Sequence, residues 1–146
     1  MANNLPLLAA LASTLYMTGA IAVVHRVHYP LFDRVEPSAF RRYHEQHVRL
    51  ITPVVAVPMV VELLASGWLT VWPPSGSNRW LAGSGLIAAL VTWVVTASLS
   101  VPLHNRLAEG FDPAPHRALV RTNAIRAVAW FVHSGILLVM TAQALR

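Results

Sequence analysis

Four stretches of this sequence are long and apolar enough to cross a bilayer, and they leave little chain for anything else. The first runs roughly from Leu7 to Val24 and the second from about Leu50 to Trp72. The third runs from Trp80 to Leu103 and the fourth from about Ile125 to Leu145. Each is near the roughly 20 residues that a helix needs to span the hydrocarbon core. The first lacks a basic leading region and its apolar run exceeds a signal-peptide core, so it is read as a retained helix. Only 12% of the residues are charged, against about 25% in a soluble domain. Such a chain lacks the charge to cover a water-facing surface. The expectation is an all-α integral membrane protein, a single up-and-down four-helix bundle over residues 1–146.

The connections set the expected orientation. The first, His25 to Arg49, carries Arg26, Arg34, Arg41, Arg42 and Arg49. The third, His104 to Asn123, carries Arg106, Arg117 and Arg121. The middle one, Pro73 to Arg79, has one arginine and reads as a turn. The positive-inside rule puts the two arginine-rich connections in the cytoplasm and both termini on the non-cytoplasmic side, in a bacterial inner membrane. A net charge of +5 suggests nucleic acid in a soluble protein. Here the arginines flank apolar spans, so the expected partner is the lipid bilayer and not nucleic acid. The absence of cysteine excludes disulfides, Fe–S clusters and thiol catalysis. All basic residues are arginine, which excludes a lysine Schiff base. Pro37 suits the first turn of a helix leading into the second span. Asp112 followed by Pro113 suits the start of a helix leading into the fourth. Pro53 and Pro58 lie inside the second span, where each removes a hydrogen bond and can kink the helix.

Six of the seven histidines flank the arginine-rich ends of spans: His25, His28, His44, His47, His104 and His116. His25 and His28 are three residues apart, as are His44 and His47, so each pair is expected to share a helix face. Antiparallel packing brings these ends together. Neutral imidazole is the commonest side-chain ligand of copper, iron and zinc. The pattern therefore suggests a mono- or dinuclear metal site with His28, His47 and His104 as first-choice ligands and His25 and His44 next. An imidazole-only set favours copper, whereas iron more often recruits a carboxylate. Taken singly, each of these histidines reads as an interfacial residue whose polar tip reaches water. Tyr29, Phe32, Phe40 and Tyr43 read as interfacial packing, and Trp68, Trp72 and Trp80 as the aromatic belt of the opposite face.

Two ionisable residues lie deeper. Glu62 is twelve residues into the second span, counted from Leu50, and His133 is twelve into the fourth, counted from Arg121. At 1.5 Å per residue both are roughly 18 Å deep, so they can meet in the interior. Tyr16 and Thr92 fall near the same depth. His44 and Glu62 are eighteen residues apart, five helical turns, and share a face. Asn123, Arg126, Trp130 and His133 share a stripe on the fourth helix. The functional reading is a polar track from the histidines into the bundle, with catalytic roles for Glu62, His133, Arg126 and Asn123. The alternative is a hydrogen-bonded pair that sets helix register.

Ser100-Val-Pro-Leu-His-Asn-Arg-Leu and Arg121-Thr-Asn-Ala-Ile-Arg-Ala-Val-Ala-Trp resemble the third-helix end and fourth-helix start of anthrone-oxygenase-like four-helix membrane proteins. The first half, with Val27-His-Tyr-Pro-Leu-Phe, Tyr43-His-Glu-Gln-His and Met59-Val-Val-Glu, resembles small bacterial membrane proteins of the same size more loosely. His104 departs from the asparagine expected there. The resemblance implies oxygenase-like activity on an apolar, aromatic substrate. Residues and resemblance together suggest a His-ligated copper or iron oxidoreductase acting on a lipophilic small molecule. Two alternatives remain at this point: a small b-type haem protein using His133 as an axial ligand, and a non-enzymatic subunit of a larger membrane complex or homo-oligomer.

Overall fold

A computed structural model describes residues 4–146 and is helical throughout its long elements. Among the described residues, four helices are long and apolar enough to cross a membrane: α1 (Leu5–Arg34), α2 (Pro37–Val71), α3 (Arg79–Leu107) and α4 (Pro113–Ala144). Each packs on the next, and α4 returns to α1, which leaves one enclosed interior. Small residues line much of it: Ala10, Ala65, Ala82, Ala88 and Ala89 are buried. Lipid tails are as apolar as leucine, so helices in a bilayer associate by close packing over such residues rather than by water exclusion. Leu64, Ile87, Val128 and Phe131 are more than half exposed on the outside, as a lipid-facing surface requires.

The helix starts follow their sequence signals. Asp112 caps α4 by accepting from the Ala114 N–H at 2.8 Å, with Pro113 in the first turn. Asn78 caps α3 by accepting from the Leu81 N–H at 2.9 Å. Pro37 opens α2, which stays helical through Pro53 and Pro58 to Val71. The prolines that alter the backbone are Pro30 and Pro102. Each follows a π-helical segment by two residues: Val24–His28 in α1 and Thr96–Ser100 in α3. A proline offers no N–H and its ring crowds the carbonyl four residues earlier. Those carbonyls belong to Arg26 and Ser98, in the middle of the two π segments. Widening the turn relieves the crowding, and the Tyr29 N–H reaches back to the Val24 carbonyl at 2.9 Å.

The α2–α3 turn is held against the end of α4. Ser77 donates to the Gln143 side-chain carbonyl at 2.8 Å. Gly76 has φ of +76°, and a Cβ there would stand 2.8 Å from the Gln143 backbone oxygen. Gly76→Ala is therefore expected to lower stability by about 1–3 kcal/mol. Thermal unfolding in detergent checks this; an unchanged midpoint would mean that the turn does not sit against α4.

Candidate functional site

The π turn in α1, the early part of α2 and the last turns of α3 bring four imidazoles together. His28 Nε2 lies 2.7 Å from His47 Nδ1. His44 Nε2 lies 3.0 Å from His104 Nδ1. The two pairs are neighbours, with the His47 and His104 ring centres 5.5 Å apart. The Tyr29 hydroxyl stands 2.9 Å from His104 Nε2. Each imidazole–imidazole hydrogen bond needs one unprotonated nitrogen as acceptor, so each pair carries at most one positive charge. Two further nitrogens, His44 Nδ1 and His47 Nε2, are buried without a hydrogen-bond partner. Among the described residues, no group of three or more His, Cys, Asp or Glu side chains is arranged to hold a metal ion. The imidazoles face one another in pairs rather than a common centre.

Phe32 is the packing centre of this cluster. It is fully buried, and its ring lies 5.1 Å from His47, 5.4 Å from His28 and 6.0 Å from His44, centre to centre. Phe40 is equally buried and stacks on His44. Phe32, Phe40 and Tyr29 are packing residues, buried within the cluster. Their apolar bodies fill the space that three converging helix ends leave between the imidazoles. His25 does not join them. It lines a separate groove between α1 and α4 with Thr18, Ala22 and Phe131. The reason is local: a π turn advances fewer degrees per residue than an α turn, so three residues no longer return to the same face. His116 is also apart, with Nε2 at 2.8 Å from the Tyr29 carbonyl. It fastens α4 to the residue that carries the Tyr29 hydroxyl.

Glu62 and His133 meet as their depths suggest. His133 donates from Nδ1 to Glu62 Oε1 at 2.7 Å, and both side chains are fully buried. Thr14 donates to the same oxygen at 3.0 Å, and Trp130 Nε1–H donates to Oε2 at 2.8 Å. His133 Nε2 lies 3.4 Å from Ser66 Oγ. A Cβ on Gly85 would stand only 3.2 Å from that nitrogen. Three helices thus converge on one carboxylate. At this level Tyr16 is 49% exposed, so Thr14 contributes the hydroxyl from α1 instead. Thr92 is buried but donates to its own helix at Ala89.

Arg126 sits between the two levels. It is 4% exposed, donates from Nη1 to Asn123 Oδ1 at 3.2 Å and lies 5.1 Å over the Trp130 ring. It lines one cavity with Tyr29 and His104. The stripe Asn123, Arg126, Trp130 and His133 is buried along its length. Its deep end reaches Glu62 through Trp130 and His133.

Three openings reach the cluster. A cavity of about 220 Å³ is lined by Ile21, Met59, Trp93, Ser100, His104 and Arg126, among others. An apolar groove of about 580 Å³ between α1 and α2 touches His28 and His47. A more polar groove of about 490 Å³ touches His44 and His104 and carries Arg41, Glu45 and Arg49. Sequence reasoning put Trp130 on the stripe of α4 without its bond to Glu62, read Tyr29 and Phe32 as packing only, and gave Ser100 no role. Tyr29 follows His28 and Ser100 stands two residues before Pro102, and such closeness in the chain says nothing about direction.

Comparison of the chain with family models, with curated proteins and with solved structures finds no match in any of the three.

Proposed function

We propose that the chain is a membrane oxidoreductase whose four clustered imidazoles bind copper or iron and whose cavity admits a lipophilic substrate. The observation that carries this reading is the pairing of His28 with His47 and of His44 with His104 beside two buried, unpartnered imidazole nitrogens. Buried polar atoms without partners are uncommon and ask for an explanation. His28, His44, His47 and His104 would hold the ion, and His25 would not. A bound ion of this type supplies one-electron and dioxygen chemistry.

The chain's own residues provide the rest. Ile21, Met59 and Trp93 hold an apolar molecule next to His104. Tyr29 orients His104 through its hydroxyl. Glu62 and His133 keep a proton position inside the bundle, with Trp130 and Arg126 on the side towards the cluster. The likeness of the Ser100–Leu107 stretch to anthrone-oxygenase-like proteins points to the same reaction class. A non-haem centre is favoured over haem because His133 has its Nδ1 on Glu62 and its Nε2 against Ser66 and Gly85. In this reading the helices run up and down, with the histidine end at the cytoplasmic face of a bacterial inner membrane and both termini on the other side. Protein purified in detergent is expected to carry mono- or dinuclear copper or iron by elemental analysis and to lack a Soret band. Purified protein that contains no transition metal, and takes up neither ion when offered it, overturns the proposal.

A further inference from the structure

The cavity beside His104 has a polar end that the chain satisfies only in part, through Asn123 and the Trp130 ring. Arg126 Nε is buried and has no hydrogen-bond partner, and neither do Ser100 Oγ and Asn123 Nδ2. Arg126 and Ser100 both line the cavity, at 4% and 2% exposure. Among the described residues, the ion pairs are Arg34 with Asp33 and His133 with Glu62, so no carboxylate neutralises Arg126. A guanidinium cannot shed its charge by deprotonation. A buried cation without a counter-charge is costly, and within a membrane span such a residue marks a ligand path or a functional partner. The walls beyond it are apolar: Ile21, Val55, Met59 and Trp93.

We infer that this cavity binds a lipophilic carboxylic acid, its carboxylate on Arg126 and Ser100 and its apolar body along Met59 and Trp93. A carboxylate matches the planar N–H fork of arginine better than a single-oxygen anion does. The cavity, at about 220 Å³, is smaller than the roughly 300–1,000 Å³ of most ligand pockets. A long chain would therefore extend past the exposed residues of the lining, Thr52 on α2 and Val101 and Asn105 on α3. This inference deepens the oxidoreductase reading by naming the substrate class, but acid binding itself needs no metal.

The test is saturation binding of radiolabelled dodecanoate to the protein in nanodiscs, with empty-nanodisc background subtracted, on metal-loaded and metal-stripped protein. Dodecanol, which keeps the chain and loses the charge, and benzoate, a water-soluble carboxylate, are the competitors. Saturable dodecanoate binding is expected, weakened about 10- to 100-fold by Arg126→Met and less by Ser100→Ala, with dodecanol a poor competitor. Arg126→Lys keeps the charge and is expected to retain part of the affinity, which guards against a misfolded methionine variant. Stronger competition by benzoate than by unlabelled dodecanoate would assign the site to a water-borne acid and support the same carboxylate chemistry. Equal competition by dodecanol, or unchanged binding in both Arg126→Met and Ser100→Ala, overturns the inference. Acid binding by a chain that never takes up metal would keep this inference and remove the oxidoreductase reading.

Discussion

Replacing His47 and His104 together by alanine is expected to reduce the copper or iron of the proposed centre to background while the helices stay folded. These two residues stand at the middle of the cluster. His47 contacts His28 on one side and faces His104 on the other, and His104 in turn contacts His44. Without them, His28 and His44 are left on α1 and α2 with no imidazole between them. Each single substitution is expected to weaken metal binding by at least about 10-fold, the lower end of what even an outer-shell change costs. His25→Ala is the matched control, since His25 faces the α1–α4 groove, and it is expected to leave metal content unchanged. The loss is also expected on acidification, because an imidazole must give up its proton to bind metal. Elemental analysis of wild-type, double-variant and control proteins checks this. A double variant with full metal stoichiometry would mean that the histidines are packing residues.

Glu62→Ala is expected to lower stability by roughly 3–5 kcal/mol. The carboxylate receives Thr14, Trp130 and His133, from two different helices, in a region with no access to water. Alanine leaves three buried donors without an acceptor, and each unmet group carries its own desolvation cost. Glu62→Gln keeps the shape but turns one acceptor into a donor that faces another N–H or O–H, so a smaller loss of about 1–3 kcal/mol is expected. Unfolding in mild detergent, followed by the fluorescence of Trp130 and its neighbours, ranks the variants. A loss below 1 kcal/mol for alanine would show that water reaches this layer. Metal content distinguishes the roles further. A Glu62→Gln protein that stays folded is expected to keep the metal of the proposed centre, since Glu62 lies below the imidazoles and touches none of His28, His44, His47 or His104.

Hydropathy was sufficient for the four helices, because a segment in lipid must satisfy its own backbone and only a long apolar helix does so. Helical arithmetic was sufficient to bring Glu62 and His133 to one depth, since rise per residue is nearly constant in unbroken α-helix. It was also enough to put Asn123, Arg126, Trp130 and His133 on one buried stripe. The arithmetic stopped working where proline changed the helix. The π turn before Pro30 sent His25 to one groove and His28 to the cluster, although three residues separate them. No local pattern could say that Phe32 would fill the space between imidazoles, or that the Tyr29 hydroxyl would reach His104. Those contacts depend on how three helix ends approach one another. Four long apolar spans are thus a property of the chain read residue by residue. Which histidines meet, and what cavity lies beside them, is decided by packing, because side-chain direction at a widened turn is set by neighbours on other helices.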